Sequence, residues 1–273
     1  MDFYKELELI IRAKSPQQKF FAFRKFYSAY KTGIPALACE DAACEFSEPS
    51  YASFCKIVPP QVVPRRTNLT TKDGQIKLIH AIAHIEYSAI DLALDAAYRF
   101  RNMPKAYYDD WLEVADDEIR HFEMLEALLH ELGAEYGDIE VHNSLFEASQ
   151  RTQTLHERMA VVPRFLEANG LDATPQILEK LKKLPQNRMI DKLTAALEVI
   201  LFEEISHVKK GDVWFLWACE KEGLDKESYF EVIDRFYPQG FGKPRHVNKE
   251  ARLEAGFSCS ELKKIAKNEV CED

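Results

Sequence analysis

The stretch Asp116-Asp117-Glu118-Ile119-Arg120-His121-Phe122 and its later counterpart Phe202-Glu203-Glu204-Ile205-Ser206-His207-Val208 decide the reading of this sequence. In each, a glutamate precedes a histidine by three residues, which puts both side chains on one face of a helix. The chain has eight histidines, and chance alone gives roughly one such pair, so the spacing needs support from its surroundings. Helical steps of about 100° from Glu118 collect Trp111, Val114, Phe122, Leu125, Leu129 and Leu132. The acid and the imidazole therefore lie inside an apolar stripe. The same steps from Glu204 collect Leu193, Leu197, Ile200, Leu201, Val208 and Phe215, and Glu86 is flanked on its face by Ile79, Ile82, Ile90 and Ala93. A carboxylate on a core-facing stripe is costly unless it is paired or bound to metal. Three such stripes call for one explanation.

Around these stripes the punctuation predicts long helices. One runs from Thr71 and Asp73 to about Arg101, broken by Asn102-Met103-Pro104; the next runs from Lys105 to Leu132 and stops at Gly133. A third is expected from about Ser144 to Ala168, ended by Asn169-Gly170, with a short helix opening at Thr174-Pro175 and stopping before Pro185. A fourth spans about Asn187 to Glu222 and ends at Gly223. Long helices with short connections imply an all-α fold built on a four-helix bundle. Ahead of it, Phe3, Leu7, Ile10 and Ile11 mark one helix. Ser15-Pro16-Gln17-Gln18 opens another, to about Lys31, that Gly33 stops. The irregular segment from Ile34 to Thr71, with Pro35, Pro49, Pro59, Pro60 and Pro64, is expected to wrap the helical core. Beyond the bundle come a helix near Lys226–Phe236, a link from Pro238 to Pro244, and a last helix capped by Ser258 and Glu261. The expected organisation is an N-terminal extension over 1–71, a bundle over 72–223 and a C-terminal extension over 224–273.

Register narrows the chemistry. Glu86 and Glu118 each lie 16 positions from Asn102, so an antiparallel hairpin turning there brings both carboxylates to one height. Two divalent metal ions about 3.5–4 Å apart would satisfy such buried charges, each Glu-x-x-His pair supplying an imidazole and a bridging carboxylate. The remaining carboxylate should come from the third helix. Glu167 is the choice there: Ala160, Pro163 and Leu171 share its face, whereas Glu157 and Glu179 sit among polar residues. The predicted ligand set is Glu86, Glu118, His121, Glu167, Glu204 and His207. Gly170, Thr174-Pro175 and a kink at Pro163 are expected to interrupt the helix around Glu167. His80 and His84 fall on a different face from Glu86, and a core or surface role is preferred for them over one in support of the ligands. Tyr87 and Trp111 are assigned to core packing.

One Glu followed by a Glu-x-x-His, repeated in a second helical pair, resembles the ferritin-like di-iron carboxylate superfamily. The spans Glu86 to Glu118 (32) and Glu167 to Glu204 (37) fit that plan. The stretches His80-Ala-Ile-Ala-His84-Ile-Glu86, Asp116-Asp-Glu118-Ile-Arg-His121-Phe and Arg158-Met-Ala-Val-Val-Pro-Arg-Phe-Leu-Glu167-Ala-Asn-Gly-Leu-Asp172 look like a bacterial ferritin-like family, domain of unknown function 455. That family is similar in turn to the di-iron tRNA hydroxylases. The resemblance spans about Pro59 to Phe257 and implies a ferritin-like bundle holding two iron ions, with manganese or a mixed pair as substitutes. It also implies O₂ or peroxide as reactant, an electron-donor protein, and a substrate of unspecified class, a small molecule ahead of tRNA.

Composition bounds the remaining choices. The 273 residues carry 36 Lys+Arg against 45 Asp+Glu, a net charge of −9, which speaks against a nucleic-acid footprint over the whole surface. No apolar run approaches the ~20 residues of a membrane span, and the opening Met-Asp-Phe-Tyr-Lys-Glu lacks a basic stretch followed by an apolar one. A cytoplasmic protein with reduced thiols is therefore expected, its six cysteines (Cys39, Cys44, Cys55, Cys219, Cys259, Cys271) being scattered without a paired motif. The leading reading is an O₂-activating oxidase or hydroxylase, with a homodimer as a candidate assembly. Its alternatives are a ferroxidase or iron-handling protein without organic substrate, and a bundle whose structural metal supports an interaction module. The basic stretches Pro64-Arg65-Arg66 and Lys243-Pro-Arg245-His246 could touch phosphate, with a solvated surface as the commoner use of such residues.

Overall fold

The computed structural model describes residues 2–33, 37, 42–66, 68–238, 240–242, 245–267 and 271. Ile34, Pro35, Cys39, Lys243 and Pro244 lie outside the described residues. The fold is all-α, with no strand among the described residues. Its helices are α1 (Phe3–Ile11), α2 (Pro16–Lys31), α3 (Lys72–Arg99), α4 (Lys105–Glu131), α5 (Ser144–Arg151) and α6 (Leu155–Val161). They continue with α7 (Ala168–Lys182), α8 (Arg188–Glu222), α9 (Ser228–Phe236), α10 (Lys249–Glu254) and α11 (Cys259–Ile265). A 3₁₀ turn occupies Ser50–Ser53, and a π-helical segment, Val162–Glu167, joins α6 to α7. The chain divides into two compact units, Met1–Phe146 and Glu147–Asp273.

In the first unit, α3 and α4 form an antiparallel hairpin. Thr71 caps α3 by accepting from the Gly74 N–H at 3.1 Å. Asn102 turns the chain in the left-handed region at φ 58°, a conformation asparagine tolerates. Tyr107 closes the turn by donating its hydroxyl to the Ala96 carbonyl at 3.2 Å. The α1 stripe is buried as expected, and Ser15 caps α2 by accepting from Gln18 N–H, with Pro16 at the first position. These two helices seat on the hairpin. The Tyr4 and Tyr108 hydroxyls meet at 2.7 Å, Phe20 packs on Phe122, and the buried Lys19 pairs with Asp91, which also accepts from Ser50. Segment 42–66 runs over this core and makes one isolated bridge, Ile57 beside Val141.

The second unit corrects the sequence reading of the third helix. The chain does not run helical from Ser144 to Ala168; α5 ends at Arg151, and Thr154 restarts it with a reciprocal capping box to Glu157. Nor do Asn169-Gly170 end it, since α7 continues through them and through Pro175 to Lys182. Tertiary contacts explain this. The buried Arg252 grips Asp172 at 2.6 Å and donates to the Ala168 carbonyl at 3.0 Å, holding the Asn169-Gly170 turn helical. Downstream, Gln176 donates to the Asp172 carbonyl at 3.1 Å beside the proline. Pro163, expected to kink the helix, is taken up by the π-helical turn, and it sits on α8 where Gly211 has no side chain; a Cβ there would come within 2.2 Å of the proline ring. The α7–α8 hairpin thus turns near Pro185, with Asn187 capping α8 and Gly223 ending it at φ 68°.

Further along, α9 begins at Ser228 and α11 has the Ser258–Glu261 capping box, while α10 is a helix the sequence reading did not anticipate. Arg164 is buried in this unit against Asp212 (2.8 Å) and Glu261 (2.7 Å), under the rings of Phe215, Tyr229 and Phe257. One expectation about thiols is overturned: Cys259 and Cys271 form a disulfide. The chain after α11 doubles back, with Ala266 bridged to Arg245, and brings the two Cα atoms to 5.9 Å, inside the reach of a disulfide. No sequence motif announced that return.

Candidate metal centre

The α3–α4 hairpin carries the first half of the predicted ligand set into one buried spot. Glu86 on α3 is 3% exposed, and Glu118 and His121 on α4 are 0% exposed. His121 Nδ1 lies 3.1 Å from Glu86 Oε2 and 3.5 Å from Glu118 Oε2. One ligand atom from each of the three falls within 4.8 Å of the others. A single ion with metal–ligand bonds of about 2.0–2.2 Å would draw such a trio together with small side-chain shifts. Local packing fixes the geometry: Ile79, Ile90, Ala93, Trp111, Val114, Phe122 and Leu125, the neighbours that marked the stripes, are all buried.

Electrostatics follow from burial. Desolvation, reinforced by the Glu118 charge, pushes the Glu86 carboxyl up to about 7. Burial alone would hold the His121 imidazole neutral, but its hydrogen bonds and charge interactions with Glu118 and Glu86 outweigh that and raise it to about 11. The trio could hold a cation, and a proton on His121 and a metal ion would then compete for the same nitrogen.

The second unit carries the counterpart. Glu204 and His207 lie on one face of α8, with His207 fully buried and its Nδ1 3.7 Å from Glu204 Oε1. Glu204 Oε2 is enclosed and has no hydrogen-bond partner among the described residues. In both Glu-x-x-His pairs the imidazole therefore turns Nδ1 toward its own glutamate. Glu167 ends the π-helical segment, with one carboxylate oxygen enclosed. Of its two rivals, Glu157 serves the α6 cap and pairs with Arg235, and Glu179 is exposed beside Lys182. Among the described residues, Glu167 and His207 join no group of three or more ligand atoms within mutual reach.

His80 and His84 have the core roles expected of them. His84 meets the Tyr136 hydroxyl (2.8 Å) with Nδ1 and the His142 carbonyl (2.6 Å) with Nε2, and His80 Nε2 accepts from Gly137 N–H at 2.9 Å. Tyr87 packs among Phe122, Tyr136 and Phe54. Sequence reading missed Tyr136; it stands in an irregular segment whose lack of periodicity gives no sign of its ring contacts with His80, His84, Tyr87 and Phe122.

Comparison with known proteins agrees with the resemblance to domain of unknown function 455. The profile described as "Protein of unknown function (DUF455)" matches residues 12–263. The chain belongs to this family. An uncharacterized protein from Haemophilus influenzae (strain ATCC 51907 / DSM 11121 / KW20 / Rd) is 36% identical over 271 residues, covering 95% of this chain and 92% of that relative. No solved structure matches. No helix among the described residues is long and apolar enough to cross a membrane.

Proposed function

We propose that this member of the DUF455 family is a ferritin-like oxidoreductase that holds two redox-active metal ions, iron or manganese, and acts on an organic substrate. The observation that carries the reading is the buried Glu86–Glu118–His121 trio, with ligand atoms within 4.8 Å of one another. A protein core tolerates two carboxylates side by side only with compensating positive charge. Carboxylate and imidazole together suit Fe²⁺ and Mn²⁺, and a bundle core with a repeated Glu-x-x-His is a place such ions occupy. In this reading Glu204, His207 and Glu167 supply the other half of the site, as the sequence repeat implies. When bound, the metal pair supplies electron transfer to dioxygen.

The chain's own residues have definable tasks. Glu86 and Glu118 present acceptor oxygens, and His121 offers Nδ1 once its proton has left. Glu204 and His207 would do the same from α8. The apolar side chains one turn away on α3 and α4 keep bulk water from these carboxylates, which strengthens their hold on a cation.

The test is elemental analysis of protein from iron- and manganese-supplemented cells, with a visible spectrum after adding ferrous iron and air. About two ions per chain are expected, lost in Glu118→Ala and in His207→Ala and kept in His130→Ala, whose side chain is exposed. Metal loss in Glu118→Ala alone would confine the site to α3 and α4. No metal and no uptake on reconstitution would end the reading.

A further inference from the structure

We propose that the first unit carries a second ligand site, a basic cavity that receives the phosphate group of a small molecule. The cavity lies between segment 60–66, α3 and residues 139–142 and measures about 410 Å³, in the size range of small-molecule pockets. Three cationic side chains line it, Arg65, Arg66 and Lys77, against one carboxylate, Glu140. Glu140 is answered by Lys56 at 3.2 Å, and Lys77 by Asp73 at 2.6 Å. Neither Arg65 nor Arg66 has an ion-pair or hydrogen-bond partner among the described residues, and both are exposed. The uncompensated charge of the cavity is thus two adjacent guanidiniums, whose forked donors match the oxygens of a phosphate.

His80 supplies an independent observation. It lines the cavity although it is only 1% exposed. Its Nε2 accepts from the Gly137 N–H at 2.9 Å, and the Ile139 N–H points at the same atom from 3.4 Å. The ring proton must therefore sit on Nδ1, and no protein group among the described residues accepts it. That leaves the Nδ1–H as a donor for an anionic oxygen in the cavity that His80 lines. His84, the neighbouring imidazole, has no donor to spare, since both its nitrogens are used in holding the wall to Tyr136 and His142. Val63, Ile85 and Val141 add an apolar lining, which suits an organic body attached to the phosphate. The chain's net charge of −9 and the small size of the cavity favour a small phosphomonoester over a nucleic acid, which is bound along a stripe.

The site does not rest on the metal reading and is tested without added metal. Isothermal titration calorimetry with inorganic phosphate and with ribose 5-phosphate should give submillimolar binding of at least one. Arg65→Ala/Arg66→Ala should weaken it about tenfold or more, without moving the unfolding midpoint. Arg24→Ala/Arg235→Ala, which removes two exposed arginines elsewhere, should leave it unchanged. Tighter binding of the sugar phosphate would establish a phosphomonoester as the ligand, and equal binding would establish free phosphate in the same seat. No binding of either probe, binding indifferent to the Arg65/Arg66 pair, or tighter binding of a 5′-phosphorylated oligoribonucleotide than of ribose 5-phosphate would overturn the proposal.

Discussion

His80 shows how one backbone contact sets the chemistry of a side chain. Because its Nε2 accepts from the Gly137 N–H, protonating that nitrogen would cost the hydrogen bond, and burial, partly offset by the Asp138 charge, depresses the imidazole to about 4. In the unfolded chain the group titrates near its ordinary value of about 6.5. Above that pH both states are neutral and His80 leaves stability unaffected; as the pH falls from about 6.5 toward 4, only the unfolded state gains the proton and stability is lost. Between pH 7 and pH 5 this single group should cost about 2 kcal/mol. Urea midpoints at the two pH values should therefore fall further in the natural protein than in His80→Gln, whose amide oxygen can still accept from Gly137. Equal falls would show that His80 is not held neutral.

The third long helix shows what elements owe to their neighbours. Asn169-Gly170, Thr174-Pro175 and Pro163 each read as breaks, yet the chain stays helical from Leu155 to Lys182 by way of a π-helical turn. Gly211 makes that turn fit, letting Pro163 lie against the α8 backbone with no intervening Cβ. Gly211→Ala improves helix propensity by about 1 kcal/mol but forces the proline ring and α8 apart. We expect a net loss of about 1–3 kcal/mol, as for other overpacked cores, measured by thermal or urea unfolding. Because Glu167 closes the π-helical turn, the same variant should also lower metal content if Glu167 is a ligand. An unchanged or raised unfolding midpoint would mean that the contact relaxes freely.

For the whole molecule, the metal reading has a thermodynamic consequence. Any ion that binds the folded chain and not the unfolded one raises stability with its concentration, by about 2.7 kcal/mol at one hundred times its dissociation constant. Added Mn²⁺, or Fe²⁺ under anaerobic conditions, should raise the unfolding midpoint, and a chelator should reverse the gain. Glu86→Gln should flatten that response, because it removes a charged ligand and keeps the side-chain volume. A midpoint indifferent to metal in the natural protein would show that the buried carboxylates are served by His121 and other internal partners alone.

The helical class, most helix ends and the Glu86–Glu118–His121 meeting were legible in the amino-acid order. Those features depend on information local to one helix or one hairpin: apolar periodicity, caps such as Thr71, Asn187 and Ser258, and equal spacing from the turn at Asn102. Tertiary structure alone decided the continuity of the third helix, the Cys259–Cys271 pair and the basic cavity beside His80. In each of these the deciding partner is remote in the chain: Arg252 for Asp172, Gly211 for Pro163, the returning tail for Cys259, and Gly137 for His80. Helical propensities are worth a few tenths of a kcal/mol to about 1 kcal/mol for most residues and about 3 kcal/mol for proline, so buried ion pairs and close packing contacts from elsewhere can override them, and no periodicity in the sequence shows where those contacts will come from.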